Sequence, residues 1–145
     1  MFKLLTSDRL LYRKLEQQDA KSLWDQMFNA YDKYKMYEKI KFASYSEFQQ
    51  YIEARIYRYE YGGNYLRWVL EICQTNELIG SIDLHGIDVN ARRVDICYYI
   101  LPDYRRNGYA SEAVNRVVNF AFTDMGYKTI RGCVDKGMMH HQMFY

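Results

Sequence analysis

This 145-residue chain holds one proline, Pro102, and three cysteines, Cys73, Cys97 and Cys133, none at CxxC spacing. An odd number of thiols without redox or metal spacing argues against a disulfide scaffold and points to reduced cysteines in a cytoplasmic protein. Cys97 lies in an apolar run and reads as a small core residue. No apolar run approaches the ~20 residues that cross a bilayer. The opening stretch "MFKLLTSDRLLYRKL" lacks the apolar core and small-residue cleavage site of a signal peptide. Neither sign of charge dominates: 20 Lys+Arg against 18 Asp+Glu leave +2, which makes no electrostatic case for a nucleic-acid partner. Repeats, low-complexity tracts and linkers are absent from the sequence.

Apolar and aromatic side chains are plentiful. Hydrophobic residues make up 49%, with 16 Tyr and 7 Phe, so one packed domain over residues 1–145 is expected. "RLLYRKL", Arg9 to Leu15, reads as a first strand. Asp19 is placed to cap a helix whose Ala20, Leu23, Trp24, Met27 and Phe28 share one face. The segment "YDKYKMYEKIKFASYSEF" is ambiguous. Ser46 is placed to cap a second helix running to about Tyr61, ended by Gly62-Gly63. "YLRWVLEICQ" and "ELIGSIDLHGI" read as strands around a tight turn at Thr75-Asn76. "RRVDICYYIL", Arg92 to Leu101, alternates and then turns wholly apolar, as a central strand does. Ala110 to about Met125 reads as a helix with Ala113, Val114, Val117, Val118, Ala121 and Phe122 inward and Gly126 at its end. "YKTIRGCV" is a last strand. The order is strand, two helices, three strands, helix, strand, an α/β fold with one strand–helix–strand crossover.

The stretch "YRRNGYASEA" joins the central strand to the last helix. A helix start offers unpaired N–H groups and a positive dipole end to an anion. Gly108 lets the backbone turn and approach a ligand, Ala110 leaves room, and Arg105 and Arg106 carry forks suited to phosphate oxygens. Two readings stand on these residues: a phosphate or pyrophosphate cradle, and a surface turn with solvated arginines. The stretch has neither the GK[ST] of a Walker loop nor the dinucleotide GxGxxG.

"ICYYILPDYRRNGYASEA" is similar to the acetyl-CoA-binding motif of the GNAT N-acetyltransferases, an (R/Q)xxGx(G/A) loop between the fourth strand and third helix. "LTSDRLLYRKLEQQDA" and "ELIGSIDLHGIDVNARRVDICYYI" resemble the opening and second hairpin of the branch with ribosomal-protein N-terminal acetyltransferases and spermidine acetyltransferases. The resemblance runs to Asp135. It implies the GNAT acyl-CoA N-acyltransferase fold, a mixed central sheet flanked by helices, and acetyl-CoA as cofactor. The amides from Arg106 through Asn107, Gly108 and Tyr109 to Ala110 would grip the pyrophosphate, with Arg105 opening the motif. The backbone of Tyr99, Ile100 and Leu101 would pair with the pantetheine arm where two strands splay apart. A primary amine would attack the acetyl carbonyl directly, and a strand N–H would polarise that carbonyl. The acceptor stays open among protein N-terminus, polyamine and small amine. The implied partners are acetyl-CoA and that amine, with no nucleic acid, membrane or metal.

An ammonium cannot attack, so a proton acceptor is needed. Asp95 stands on the fourth strand where many relatives carry a glutamate and is the first candidate. Its competing reading is a carboxylate paired with a basic neighbour. Asp83 and Glu71 are fallbacks, and His85 titrates in the useful range. Adjacent His140 and His141 point apart and do not suggest a shared metal site. Other readings remain: a coenzyme A-binding regulatory module without turnover, and an interaction domain with no cofactor.

After the last strand the resemblance breaks. The family carries an Asn, a Ser or Ala three places on, a helix, a "GF" turn and two more strands, whereas this chain reads "VDKGMMHHQMFY". Met138 and His141 stand in place of the Asn and the Ser. Tyr145 falls at the spacing of the family's thiolate-protonating tyrosine. One permitted coding of "GMMHHQMFY", read from the last base of its first codon, yields NDASSNVL, with the Asn, the Ser and a continuing helix. We expect a frameshift after about Gly137, loss of the last helix and strands, and a homodimer or swapped assembly that covers the open sheet edge. Sequencing the gene through these codons checks this: the shifted frame is expected to read on into a "GF" turn and two strands, and a frame that does not ends the idea.

Overall fold

The computed structural model of the chain describes residues 2–29, 42, 44–61 and 63–132. Gly62, Cys133, Met138, His140, His141, Tyr145, most of the ambiguous stretch at 31–48 and the altered C-terminal motif lie outside the described residues, as do the side chains of Met27 and Phe28.

Strands β1 (Leu5–Thr6) and β2 (Leu10–Arg13) open the chain, followed by helices α1 (Asp19–Asn29) and α2 (Tyr45–Tyr61). Strands β3 (Leu66–Ile72), β4 (Leu78–Asp88) and β5 (Arg93–Ile100) follow. A single 3-10 turn (Pro102–Tyr104), helix α3 (Tyr109–Thr123) and β6 (Thr129–Gly132) complete the described elements. The six strands form one sheet in chain order. Pairing is antiparallel from β1 to β5, and β5–β6 is parallel, with α3 as its crossover. This is the expected mixed α/β architecture. The difference at the start is β1, which makes the expected first strand one half of a small hairpin: Ser7 N–H donates to Leu10 O at 2.9 Å.

Alternation divides the side chains of the sheet between two layers. On one face Trp68, Leu70, Ile82, Leu84, Val94, Ile96 and Ile130 pack against Ala113, Val114, Val117, Phe120 and Ala121 of α3. Trp68 is fully buried there. Its ring meets Phe120 edge-on, centroids 5.8 Å apart, and its Nε1–H donates to Lys3 O at 2.6 Å. Phe122, expected inward, is 42% exposed. At about 100° per residue, Phe120 lies roughly 60° from Val117 around the helix and Phe122 roughly 140°, so Phe120 takes the inward place. On the other face Val69, Leu78, Tyr99 and Leu101 meet Leu15 and Leu23. Beside them α1 and α2 close over Ala20, Phe48 and Ile52.

The expected helix caps shift when side-chain geometry is considered. Asp19 begins α1, and its carboxylate accepts from both terminal nitrogens of Arg13 at 2.9 Å and from Glu16 N–H at 2.8 Å. It therefore pins the helix start to β2. The cap of α2 is Ser44 rather than Ser46: Ser44 Oγ accepts from Glu47 N–H at 3.2 Å. Among the described residues no helix is long and apolar enough to cross a membrane.

The register shifts between β3 and β4 after Leu70↔Gly80, where Glu71 pairs with Leu78. At this irregularity Gly80 lies so close to β5 that a Cβ would stand 2.1 Å from Tyr99 O. Gly80→Ala must push β4 and β5 apart, and a loss of about 1–3 kcal/mol is expected. Urea unfolding of the variant checks this; an unchanged midpoint would show that the strands give way freely.

Candidate functional site

The end of β5 carries the chain into the loop singled out above. Pro102 starts the 3-10 turn, and Arg105 then extends at φ −73°, ψ 161°. Arg106 takes a left-handed conformation, φ +65°, unusual for a residue with a Cβ, and Gly108 takes another, φ +80°. Such backbone is held only where its surroundings over-determine it, and it concentrates at ligand sites. Gly108 is the residue before α3, and the first bond of the helix runs from Glu112 N–H to Gly108 O at 3.1 Å. That helix pattern leaves the N–H groups of Tyr109, Ala110 and Ser111 for other acceptors. Ile100, Pro102, Arg105, Arg106, Gly108, Tyr109, Ala110 and Ser111 line an open cleft of about 700 Å³ at this point. It offers backbone donors, the positive end of a helix and Arg106, a set that suits an anion of phosphate size.

Two of the motif's side chains brace the loop. Arg105 Nε–H donates to Ile100 O at 2.7 Å, and its guanidinium sits 5.1 Å from the centroid of the Tyr99 ring. Asn107 Nδ2 donates to Tyr104 O and Arg105 O at 3.2 and 3.1 Å. The loop is also clamped from the far end of the chain. Glu112 in the first turn of α3 accepts from Ser7 Oγ at 2.6 Å, Arg9 N–H at 2.8 Å and Arg9 Nε–H at 2.6 Å. Arg9 Nη1–H continues to Asn107 O at 2.8 Å, and the guanidinium covers the Tyr109 ring at 4.3 Å. Sequence reasoning gave no role to Ser7, Arg9 or Glu112. The available signal was an acid in the first turn of a helix, where the dipole favours it.

The side chains of Tyr99 and Leu101 leave the cleft and line a second, smaller cavity of about 60 Å³ on the α1–α2 face of the sheet. Tyr51 and Arg55 of α2, and Arg67 and Ser81 of β3 and β4, are among its other walls. The last residues of β5 thus separate two spaces, with Ile100 lining the cleft and its two neighbours lining the cavity.

Of the candidate proton acceptors, Asp83, His85 and Asp95 lie further down this same face, and Glu71 lies on the other side of Tyr99. Asp95 binds Arg131 of β6 through two contacts, Nε to Oδ1 at 2.7 Å and Nη2 to Oδ2 at 3.1 Å. It lines neither the cleft nor the small cavity. Four residues of strand separate it from Tyr99, about 13 Å at ~3.3 Å per residue. Its cross-strand neighbour is His85, whose Nδ1 is 2.6 Å from Asp83 Oδ1. The hydrogen bond that His85 donates to Asp83 raises the His85 pKa, outweighing burial, which lowers it. Glu71 is engaged by Arg13 at 3.2 Å.

With this geometry in view, the family is shown by comparison. The family described as "Acetyltransferase (GNAT) domain" matches residues 9–137. The chain is 35% identical over 139 residues to the uncharacterized N-acetyltransferase YoaA of Bacillus subtilis (strain 168), covering 92% of this chain and 75% of that protein. The chain belongs to the GNAT acetyltransferase family, whose members are transferases that use acetyl-CoA. Its fold superposes on a putative ribosomal-protein-serine acetyltransferase from Vibrio cholerae with a TM-score of 0.79 at 19% identity, over 94% of this chain and 77% of that one. It also superposes on the microcin C7 self-immunity acetyltransferase MccE, solved with acetyl-CoA and AMP. That match has a TM-score of 0.67 at 15% identity, over 90% of this chain and 73% of that one.

Burial pushes the Glu112 carboxyl up, but the hydrogen bonds from Ser7 and Arg9 outweigh it and hold the pKa below the ordinary 4.5. A depressed folded value stabilises the fold above the unfolded pKa and is lost as pH falls through the folded one. Glu112→Gln is therefore expected to cost about 1–2 kcal/mol at neutral pH. The gap from the parent should close in acid. Paired unfolding curves from pH 7 to pH 3 check this, and a gap that stays constant across that range would contradict it.

Proposed function

We propose that this chain transfers the acetyl group of acetyl-CoA to a primary amine. The observation that carries the proposal is the end of β5, which stands between a cleft of helix-start amides and arginines and a small cavity. The residues present fit the cofactor. The left-handed backbone at Arg106 and Gly108 and the open N–H groups of Tyr109, Ala110 and Ser111 form a cradle that side-chain bulk would fill. Arg106 faces the same cleft and adds charge. The backbone of Tyr99, Ile100 and Leu101 would guide the pantetheine arm toward the cavity. When bound, acetyl-CoA supplies an activated thioester, whose C–S bond is exchanged for the C–N bond of an amide.

The protein's own task is then to seat the amine, take its proton and exclude water. Tyr99 and Leu101 are almost wholly buried and give the cavity a dry wall against β5. For the proton we propose Asp95, acting across the face it shares with His85 and Asp83. Its bidentate grip on Arg131 keeps the carboxylate oriented, and the separation of about 13 Å from Tyr99 calls for a chain of several waters rather than a direct contact.

A calorimetric and thermal-shift titration with acetyl-CoA, followed by thiol release with added amines, tests this reading. Binding should raise the melting temperature, with a stabilisation of about 2.7 kcal/mol at a hundredfold excess over Kd. Gly108→Trp, which puts bulk at φ +80° against the Arg9 guanidinium and so disturbs the cradle, should abolish the shift. Asp95→Asn should keep the shift and lower kcat by about 10²–10⁴. No binding by the parent chain would remove the proposal, and an unchanged kcat would remove Asp95 from it.

A further inference from the structure

The small cavity beside Tyr99 draws its charge from two arginines, Arg55 of α2 and Arg67 of β3, and no carboxylate lines it among the described residues. Arg67 is only loosely compensated. Asp83 Oδ2 lies 3.7 Å from its Nη1, while Asp83 Oδ1 is engaged by His85 at 2.6 Å. Arg67 Nη2–H donates to Ser81 Oγ at 3.0 Å, and its guanidinium lies 5.2 Å from the centroid of the Tyr59 ring. Arg55 sits 5.0 Å from the centroid of the Tyr51 ring and shares a side-chain hydrogen bond with Tyr51, which takes up part of its edge, and its electrostatic partners among the described residues are tyrosines. An aromatic ring engages the face of a guanidinium and leaves the N–H groups of its edge for an acceptor in the plane. A second pocket, about 380 Å³, shares Leu15, Tyr59 and Arg67 with the small cavity. Arg67 therefore stands between the two spaces and lines both.

We infer that the acceptor is a primary amine that carries a carboxylate close to the amine. It enters through the larger pocket, Arg67 and Arg55 take the carboxylate, and the amine faces Tyr99. This rests on the acetyl-transfer reading above and adds a substrate class to it. Arginine forks match a carboxylate bidentately. A polyamine would bring more positive charge against two guanidiniums in a small cavity that no acid lines, although Glu60 lines the larger pocket beside Lys14; at the cavity the pair selects against it. A free amino acid and a peptide beginning with an acidic residue share the required chemistry.

The test uses the full chain with acetyl-CoA and follows thiol release. The acceptors are L-glutamate, a C-terminally amidated peptide beginning Glu-Ser, spermidine and tyramine. At least one of the first two is expected to exceed spermidine and tyramine at least tenfold in kcat/KM, and which of them does so tells free amino acid from peptide. Arg67→Met and Arg55→Met should each lower that value on the order of tenfold to a hundredfold, mainly through KM, with acetyl-CoA affinity intact. Arg55→Glu, on the half-buried face of an outer helix, guards against a folding artefact because it predicts a gain: spermidine should improve relative to the acidic amines. The inference is overturned if acetyl-CoA binds but the acidic amines are turned over no better than spermidine or tyramine, or not at all. It is equally overturned if their preference survives both methionine variants. Absence of acetyl-CoA binding would instead strike the acetyl-transfer reading itself, and this inference with it.

Discussion

The carboxylate of Glu112 is the contact on which the candidate site depends. It gathers three donors from the β1–β2 turn, and through Arg9 it reaches the carbonyl of Asn107 inside the loop. One side chain therefore sets the start of α3, the edge of the sheet and the path of the loop against one another. The left-handed backbone at Arg106 and Gly108 costs free energy that a solvated turn would release. Packing of α3 on the sheet and the Arg9–Glu112 clamp oppose that release from both ends. Charge-assisted bonds to a largely buried carboxylate suit this role, because losing one partner leaves the other charge stranded.

The second constraint is the closeness of β4 and β5. Gly80 leaves no space for a side chain opposite Tyr99 O, so the two strands meet tightly just before the chain turns into the loop. Alternation along β5 then sends Tyr99 and Leu101 to the face covered by α1 and α2, and Ile100 toward the cleft. A strand end used in this way puts the cleft and the cavity within one backbone width of each other. An acyl transfer requires just such proximity of its reactants.

Charge is distributed unevenly about this divider although the chain as a whole is nearly balanced. The cleft is basic and built largely of backbone. The face covered by α1 and α2 mixes Arg55, Arg67 and Arg131 with Asp83, Asp95 and Glu71, most of them paired across strands. The likeness to the Vibrio cholerae structure, at 19% identity, speaks for the fold alone. The walls of the small cavity come from helices α1 and α2, the faces of β3 and β4 and the end of β5.

The features legible in the sequence were local. Strand alternation, the helix after the loop, Gly126 at its end and the turn at Gly108 each depend on residues within a few positions of one another. The family motif is local as well, since an anion cradle at a helix start is built from consecutive amides. Errors arose where periodicity had to choose between neighbours, as with Phe120 and Phe122, or where a cap had two suitable serines. Tertiary structure alone decided the rest. The Arg9–Glu112 clamp joins positions at opposite ends of the described chain. Arg131 became the partner of Asp95 only when β6 paired with β5, and Arg55 and Arg67 came together only when α2 packed on β3. Side-chain periodicity shows which face a residue occupies, but it carries no information about which distant face will cover it.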